Sequence, residues 1–428
     1  MKHVVEEPLP RERQDPPAEG TRLLGLKANL AKFFLLAALV PPATVAIARR
    51  ASELEGADAA AGWTAAIIAI GSGSAIAGAL IAGWAADLGA RTLRSRWWVL
   101  FGGTALGVLA LAWMSLSRSG WELAAGWGLA QGGLSGAIAV SRALLTHVSA
   151  VHRERSAVVM IAVSSVGLLV PIAMLMLFPG SAWGTTICLA LCAAAVPAIA
   201  LTRTSPRTGD RDRARASVPA READRTAAPR MSWVAVLVLG FSSQVALSAY
   251  LTYHPLDIVA RLGLDWDRAT QAGTLVLAVA LLGLVGAATV MLILPRMLRS
   301  TLPLLSIAGV LLVTGLILRA MTASLVPLAL AGLLSGIAIG ISTTLLFTAA
   351  LALTTSERAG WRLGVYSAVI GIGQLIGPSL VLGVVIAIRG VPDYSTLFLL
   401  LAVIPFGWIT IAIVLMLRQR RRDALRSC

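Results

Sequence analysis

The sequence predicts an all-α polytopic membrane protein, with twelve transmembrane helices in two six-helix pseudo-symmetric bundles, and three observations carry that prediction. The 428 residues are 57% apolar and only 13% charged, with a mean hydropathy of +0.82, whereas soluble domains carry about 25% charge. Apolar runs of about 20 residues recur along the whole chain, each long enough to cross roughly 30 Å of hydrocarbon. One long polar interruption, 203–230, divides these runs into six and six.

The runs fall at 28–49, 61–86, 97–117, 122–147, 157–178, 182–202, 231–255, 271–295, 301–319, 323–350, 363–388 and 394–417. Residues 1–27 are charged and include Pro16 and Pro17, so they read as a disordered cytoplasmic tail rather than a cleavable signal. The 203–230 stretch is rich in Arg, Asp, Ser and Pro and is expected to be a flexible cytoplasmic link. The bundles are then 28–202 and 231–417, followed by a basic tail, 418–428.

Lys and Arg number 36 against 21 Asp and Glu, a formal net charge of +15. These charges sit between apolar runs, so they set membrane orientation and do not argue for nucleic-acid binding. With the N-terminus inside, only Arg49, Arg50, Arg118, Arg261, Arg268, Arg319 and Arg389 fall outside. Lys32 and Arg142 count with the inner set, near helix ends. This bias places both termini in the cytoplasm and the chain in the cytoplasmic (inner) membrane, as a multi-pass protein.

Cys188, Cys192 and Cys428 make no disulfide framework, and the first two read as small residues on one helix face rather than metal ligands. The sequence offers no Ser-His-Asp set, metal-spaced His/Cys set or phosphate-binding glycine loop. No enzyme activity, metal or cofactor is expected. Glu154-Arg155 precedes the fifth run as Glu357-Arg358 precedes the eleventh, and Pro171 and Pro378 lie deep in the two helices that follow. Such an echo suits a transporter whose halves rock about a central site; chance likeness of two Gly- and Ala-rich helices is the alternative.

After the second run the chain reads Gly83-Trp-Ala-Ala-Asp87-Leu-Gly89-Ala-Arg91-Thr-Leu-Arg94-Ser-Arg96-Trp97-Trp98. This resembles the G-x-x-x-D-R-x-G-R-R loop of the major facilitator superfamily. It also resembles the longer S-D-R-T-x-S-x-x-G-R-R-x-P-W form of the superfamily's sucrose and glycoside-cation symporter branches. Gly83 and Asp87 match; Leu88 stands where the family has Arg, and the spacing through Gly89 is one residue short. The stretch from Glu357 through Tyr366 to Gly373-Gln374-Leu-Ile-Gly377-Pro378 resembles helix eleven of those branches, with Gly373 in place of the proline before Gln374. In helix five only Gly167 and Pro171 match the exporters' G-x-x-x-G-P string, with Val170 at its second glycine, which argues against the drug/proton antiporters. The resemblance covers about Ala28 to Leu417 and implies a secondary transporter working by alternating access.

Asp87, at the inner end of helix two, can hold Arg91 or Arg94 and accept N–H groups from a neighbouring helix start; an ordinary helix-end acid is the alternative. In helix four, Gln131 and Arg142 lie about three turns apart and can share a face. Gln131-Gly132 resembles the Q-G of the family's R-x-x-Q-G string, with Gly128 in place of the arginine. Arg142 either snorkels to the interface or points inward, where it would meet an anionic substrate group or a gating partner. In helix seven, Gln244 and Ser248 share one face and Tyr250 and His254 another. His254 and Asp257 flank Pro255 and form either a gate or a helix-end network.

Gln374, followed by Pro378, sits where helix eleven can bend. The expected substrate contacts are thus Gln131, Arg142, Gln244, Ser248, Tyr250 and Gln374, and the expected gating residues Asp87, Arg91, Arg94, His254, Asp257 and Pro378. No Asp or Glu lies near mid-span, which removes the easiest proton-coupling mechanism. Coupling to protons and facilitated diffusion both stay open. The sequence is therefore read as a secondary active transporter of a small polar or amphipathic solute, working in the lipid bilayer as a monomer and binding mainly through amides rather than charge pairs. Export of a hydrophobic drug or natural product, or a non-transporting receptor or assembly factor, are the alternatives.

Overall fold

The computed structural model describes residues 18–88, 93–148, 150–177, 182–203, 231–264, 266–294, 301–354, 358–390 and 393–427. Among them are thirteen α-helices and no strand. They are α1 (Ala18–Pro41), α2 (Ile47–Glu55), α3 (Ala57–Leu88), α4 (Leu93–Ser115), α5 (Gly120–Leu144), α6 (Ala150–Leu177) and α7 (Ala182–Arg203). After the undescribed central stretch come α8 (Trp233–Leu262), α9 (Trp266–Ile293), α10 (Thr301–Met321), α11 (Leu325–Ala352), α12 (Ala359–Arg389) and α13 (Tyr394–Ser427). Ten helices among the described residues are long and apolar enough to cross a membrane, and Arg155–Pro171 is a shorter apolar helix.

Several boundaries differ from the sequence reading. Helix α1 begins at Ala18, inside the expected 1–27 tail, of which only 18–27 is described. Pro41 and Pro42 have no N–H to donate, so the chain passes that gap in a π-helical turn, Pro42–Ala46, and continues as α2. Helix α8 runs through Pro255 to Leu262, and α13 carries on through the basic stretch expected as a tail. Helix α5 starts on a reciprocal cap: Ser119 Oγ accepts the Glu122 N–H at 3.3 Å, and the Glu122 carboxylate takes the Arg118 N–H at 2.7 Å.

Small residues decide which helices lie closest. A Cβ on Gly78 of α3 would stand 2.1 Å from the Gly132 carbonyl oxygen of α5. A Cβ on Gly336 of α11 would stand 1.8 Å from the Ala280 carbonyl oxygen of α9. Only glycine permits backbones to approach that far, so α3–α5 and α9–α11 are matched tight pairs. Helix α4 packs on α5 and α7, α10 on α11 and α13, and α1 on α6 and α7. Helix α12 runs along both α8 and α3, linking the segment after residue 231 to the one before 203. Large apolar side chains such as Ile81, Leu109, Leu282 and Val326 point outward, as a surface solvated by lipid tails requires. Asp87 marks one end of the molecule, and Asp257 the other.

Candidate functional site

At the first end, the C-terminus of α3 meets the N-terminus of α12. The first N–H groups of a helix have no intrahelical acceptor, and Asp87 supplies one: its carboxylate accepts the N–H of Gly360 at 3.0 Å and of Trp361 at 2.7 Å. Arg96, fully enclosed in α4, reaches the same carboxylate at 3.2 Å. Its other nitrogen is held by the Ala143 carbonyl (3.2 Å), Thr146 Oγ1 (3.3 Å) and His147 Nε2 (2.8 Å), which a 3-10 turn after α5 brings into range.

The arginine that Asp87 holds is therefore Arg96 and not Arg94, whose side chain is exposed; Arg91 lies outside the described residues. The contact extends along the seam. A Cβ on Gly83 would lie 2.4 Å from the Gly360 carbonyl oxygen, one on Gly364 2.8 Å from that of Ala79, and one on Gly371 2.9 Å from Ile76 Cγ1.

Deeper in, two cations meet two rings. Arg142 of α5 donates to Ser367 Oγ of α12, and its guanidinium stands 6.0 Å from the ring centres of Phe347 (α11) and Tyr366 (α12). It does not snorkel to a helix end. Lys32 of α1 is 3% exposed, lies 5.5 Å from the same Phe347 ring, and has no hydrogen bond or ion pair to another described residue. Sequence reading counted Lys32 with the inner helix-end charges and missed Phe347, Tyr366 and Ser367. A lysine flanked by apolar residues on both sides was the available signal.

Further along α12, Gln374 Nε2 donates to Gln244 Oε1 of α8 at 3.0 Å, and Ser248 Oγ donates to the Gly373 carbonyl at 3.3 Å. The Pro378 carbonyl accepts Tyr253 Oη at 3.0 Å. Gln244, Ser248, Gln374 and Pro378 thus share the α8–α12 seam. Gln131 lies elsewhere, in the α3–α5 contact, where it accepts from Ser135 at 3.3 Å. The hydroxyls of Ser342, Thr343, Thr344 and Thr348 in α11 return to carbonyls of their own helix.

At the other end, Asp257 is fully buried between Arg261 and Arg319, the latter at 2.8 Å. Arg319 stacks against Tyr250 (4.6 Å) and Phe398 (4.4 Å). Arg261 also donates to the Ala320 and Thr322 carbonyls and to Ser395 Oγ. His254 does not meet Asp257; its Nε2 pairs with the Gly273 carbonyl at 2.8 Å. Tyr250, at 4% exposure, is enclosed by Arg319, His254 and Phe398. Arg261 and Arg319, read from sequence as outer-loop charges, are the internal partners of this acid.

A long run of apolar helices is what the sequence implied, and the family comparison agrees. The Major Facilitator Superfamily profile matches residues 28–378. The chain belongs to the major facilitator superfamily. It is accordingly a secondary transporter that moves a small solute across a membrane by alternating access, and not an enzyme. Solved structures that share the fold include two that align over most of this chain. The human organic anion transporter MFSD10 (TETRAN) aligns with a TM-score of 0.64 at 19% identity, over 92% of this chain and 100% of its own. The superfamily transporter FucP in the outward conformation aligns with a TM-score of 0.63 at 13% identity, over 91% and 98%. Comparison with curated proteins gives no match.

Proposed function

We propose that this superfamily member carries a small polar or amphipathic solute between two six-helix halves, α1–α7 and α8–α13, with α1 and α2 forming one span and each later helix another. The matched tight pairs α3–α5 and α9–α11 support the two-half reading. Both termini and the Asp87 end face the cytoplasm, as the distribution of arginines favours. The observation that carries the proposal is the Asp87 carboxylate on the Gly360 and Trp361 N–H groups. It joins the first half to the second by polar contacts that a rigid-body rocking motion would break.

In this reading the conformation described is closed at the Asp87 end, and the solute enters from the Asp257 end. The solute meets the Gln244–Gln374 amides along α12, whose remaining donor and acceptor capacity suits hydroxyl- or amide-bearing groups. Proton coupling has no mid-span carboxylate to run on, so flux driven by the solute gradient is the simpler mode.

Ala79, almost fully buried against Gly364, reports the seam. In a chain with Cys188, Cys192 and Cys428 replaced by Ser, Ala79→Cys should react slowly with a membrane-impermeant maleimide applied at the cytoplasmic face. Adding Asp87→Asn should speed that reaction about tenfold, because hydrogen bonds to a charged group contribute about 1.5–3 kcal/mol each. An unchanged rate, or faster labelling from the opposite face, contradicts the proposal.

A further inference from the structure

Lys32 of α1 and Arg142 of α5, both in the first half, stand within 6.0 Å of the same Phe347 ring of the second half, and Arg142 also meets Tyr366. Neither has a carboxylate partner among the described residues. The half-buried Asp87 is engaged with Arg96, and the buried Asp257 with Arg261 and Arg319. Arg142 spends one nitrogen on Ser367, while its Nε is buried without an acceptor. A ring centre at 5.5–6.0 Å is near the outer limit of a cation–π contact and offsets only part of the cost of burying an ammonium and a guanidinium together. The missing element is negative charge.

Resting on the alternating-access reading above, we infer that Lys32 and Arg142 together bind the anionic group of the solute, with Phe347 and Tyr366 forming the face that its apolar body covers. The solute is an organic anion. This replaces the expectation of binding mainly through amides rather than charge pairs. Two cations from different helices favour a doubly charged group, or two neighbouring carboxylates, over a single one. The position also explains how cargo is linked to motion: an anion here touches α1 and α5 on one side and α11 and α12 on the other. It competes with Ser367 for Arg142, so loading loosens one of the contacts that joins the halves.

Purified protein in detergent is titrated with phthalate, benzoate and their neutral amides, phthalamide and benzamide, with thermal stabilisation as the readout. Phthalate should bind at least tenfold tighter than phthalamide, and tighter than benzoate. Lys32→Gln should abolish the advantage of phthalate over benzoate, Lys32→Arg should restore it, and Arg142→Gln should weaken both anions at least tenfold. The proposal is overturned if no anion binds better than its amide in the unaltered protein, a result that does not depend on any variant folding. It is also overturned if both glutamine variants keep anion affinities within twofold. Ala79→Cys labelling, run without ligand, reads the alternating-access proposal separately. Loss of anion preference with an intact Asp87→Asn effect removes only the present inference.

Discussion

The side-chain amide of Gln374 donates to that of Gln244 at 3.0 Å, joining α12 to α8 one turn before Pro378. Gln244 is nearly enclosed whereas Gln374 is exposed, so the pair orients the buried amide from its open side. Polar pairs between membrane helices are worth about 0.6 kcal/mol on average and up to about 1.7. Replacing either glutamine by leucine should destabilise the detergent-solubilised protein by about 1 kcal/mol. The double replacement should cost less than the sum, with a coupling of that same small size. Strict additivity in a double-mutant cycle of denaturant unfolding would mean the amides act independently.

Asp393 caps α13 and gives the clearest acid-range prediction. Its carboxylate accepts the Thr396 hydroxyl at 2.6 Å and the Ser395 N–H at 3.0 Å, and these bonds, the Thr396 hydroxyl above all, hold it below the usual carboxylate value. A carboxyl depressed in the folded state stabilises fully above its unfolded value of about 3.9 and loses that contribution as pH falls through the lower folded value. Asp393→Ala should therefore cost about 1 kcal/mol at neutral pH, the size of a lost N-cap. The gap between variant and parent melting curves should close as pH falls through that lowered folded value, since the parent then carries a protonated cap. A gap that persists undiminished at acid pH would assign the loss to packing.

The Asp257 cluster predicts a stability effect without a gating effect. Among the described residues, the polar partners of Asp257, Arg261 and Arg319 belong to α8, α10, the residue that follows α10, or α13. On the proposed two-half reading, a group confined to one half would be carried along when the halves rock. Asp257→Ala leaves Arg319 enclosed with no acid, a loss of about 3–5 kcal/mol for a broken buried pair. Thermal unfolding should fall sharply, while Ala79→Cys labelling in the same background should stay at the parent rate. Accelerated labelling would make the cluster part of the gate after all.

How much of this was legible depended on whether a residue's partner could be inferred from its own surroundings in the chain. Asp87 could be read as an acceptor for a helix start, because a carboxylate at a helix end has few other uses; that the start is Gly360-Trp361 depends on a contact 273 residues away. Its arginine was misassigned since loop spacing does not say which guanidinium turns inward, and Arg96 does so as the first turn of α4 packs on α5. Gln244, Ser248 and Gln374 were recognisable as polar groups needing an interface, yet not as partners of one another. Lys32 was lost to a counting rule: the positive-inside argument treats every cation near a run as orientation, and only burial separates a snorkelling lysine from one facing an interior.

The backbone contact between Gly83 and Gly360 supplies a test of closure that leaves every charged group in place. A Cβ on Gly360 would lie 2.3 Å from the Gly83 carbonyl oxygen and 2.8 Å from Asp87 Oδ1. The carbonyl is part of an α-helix and cannot swing aside as a side-chain tip can, so Gly360→Ala must push α12 away from α3 or displace the Asp87 carboxylate. Either movement weakens the bonds to the Gly360 and Trp361 N–H groups. Gly73→Ala is the control, because a Cβ there meets nothing within 4 Å and in a helix gains roughly 0.5–1 kcal/mol. Gly360→Ala should raise cytoplasmic labelling of Ala79→Cys about tenfold or more, Gly83→Ala should act in the same direction, and Gly73→Ala should leave it unchanged. Equal rates in all three would falsify the α3–α12 seam as the closed end of the carrier, since a steric demand that glycine alone satisfies at its end would then have no bearing on access.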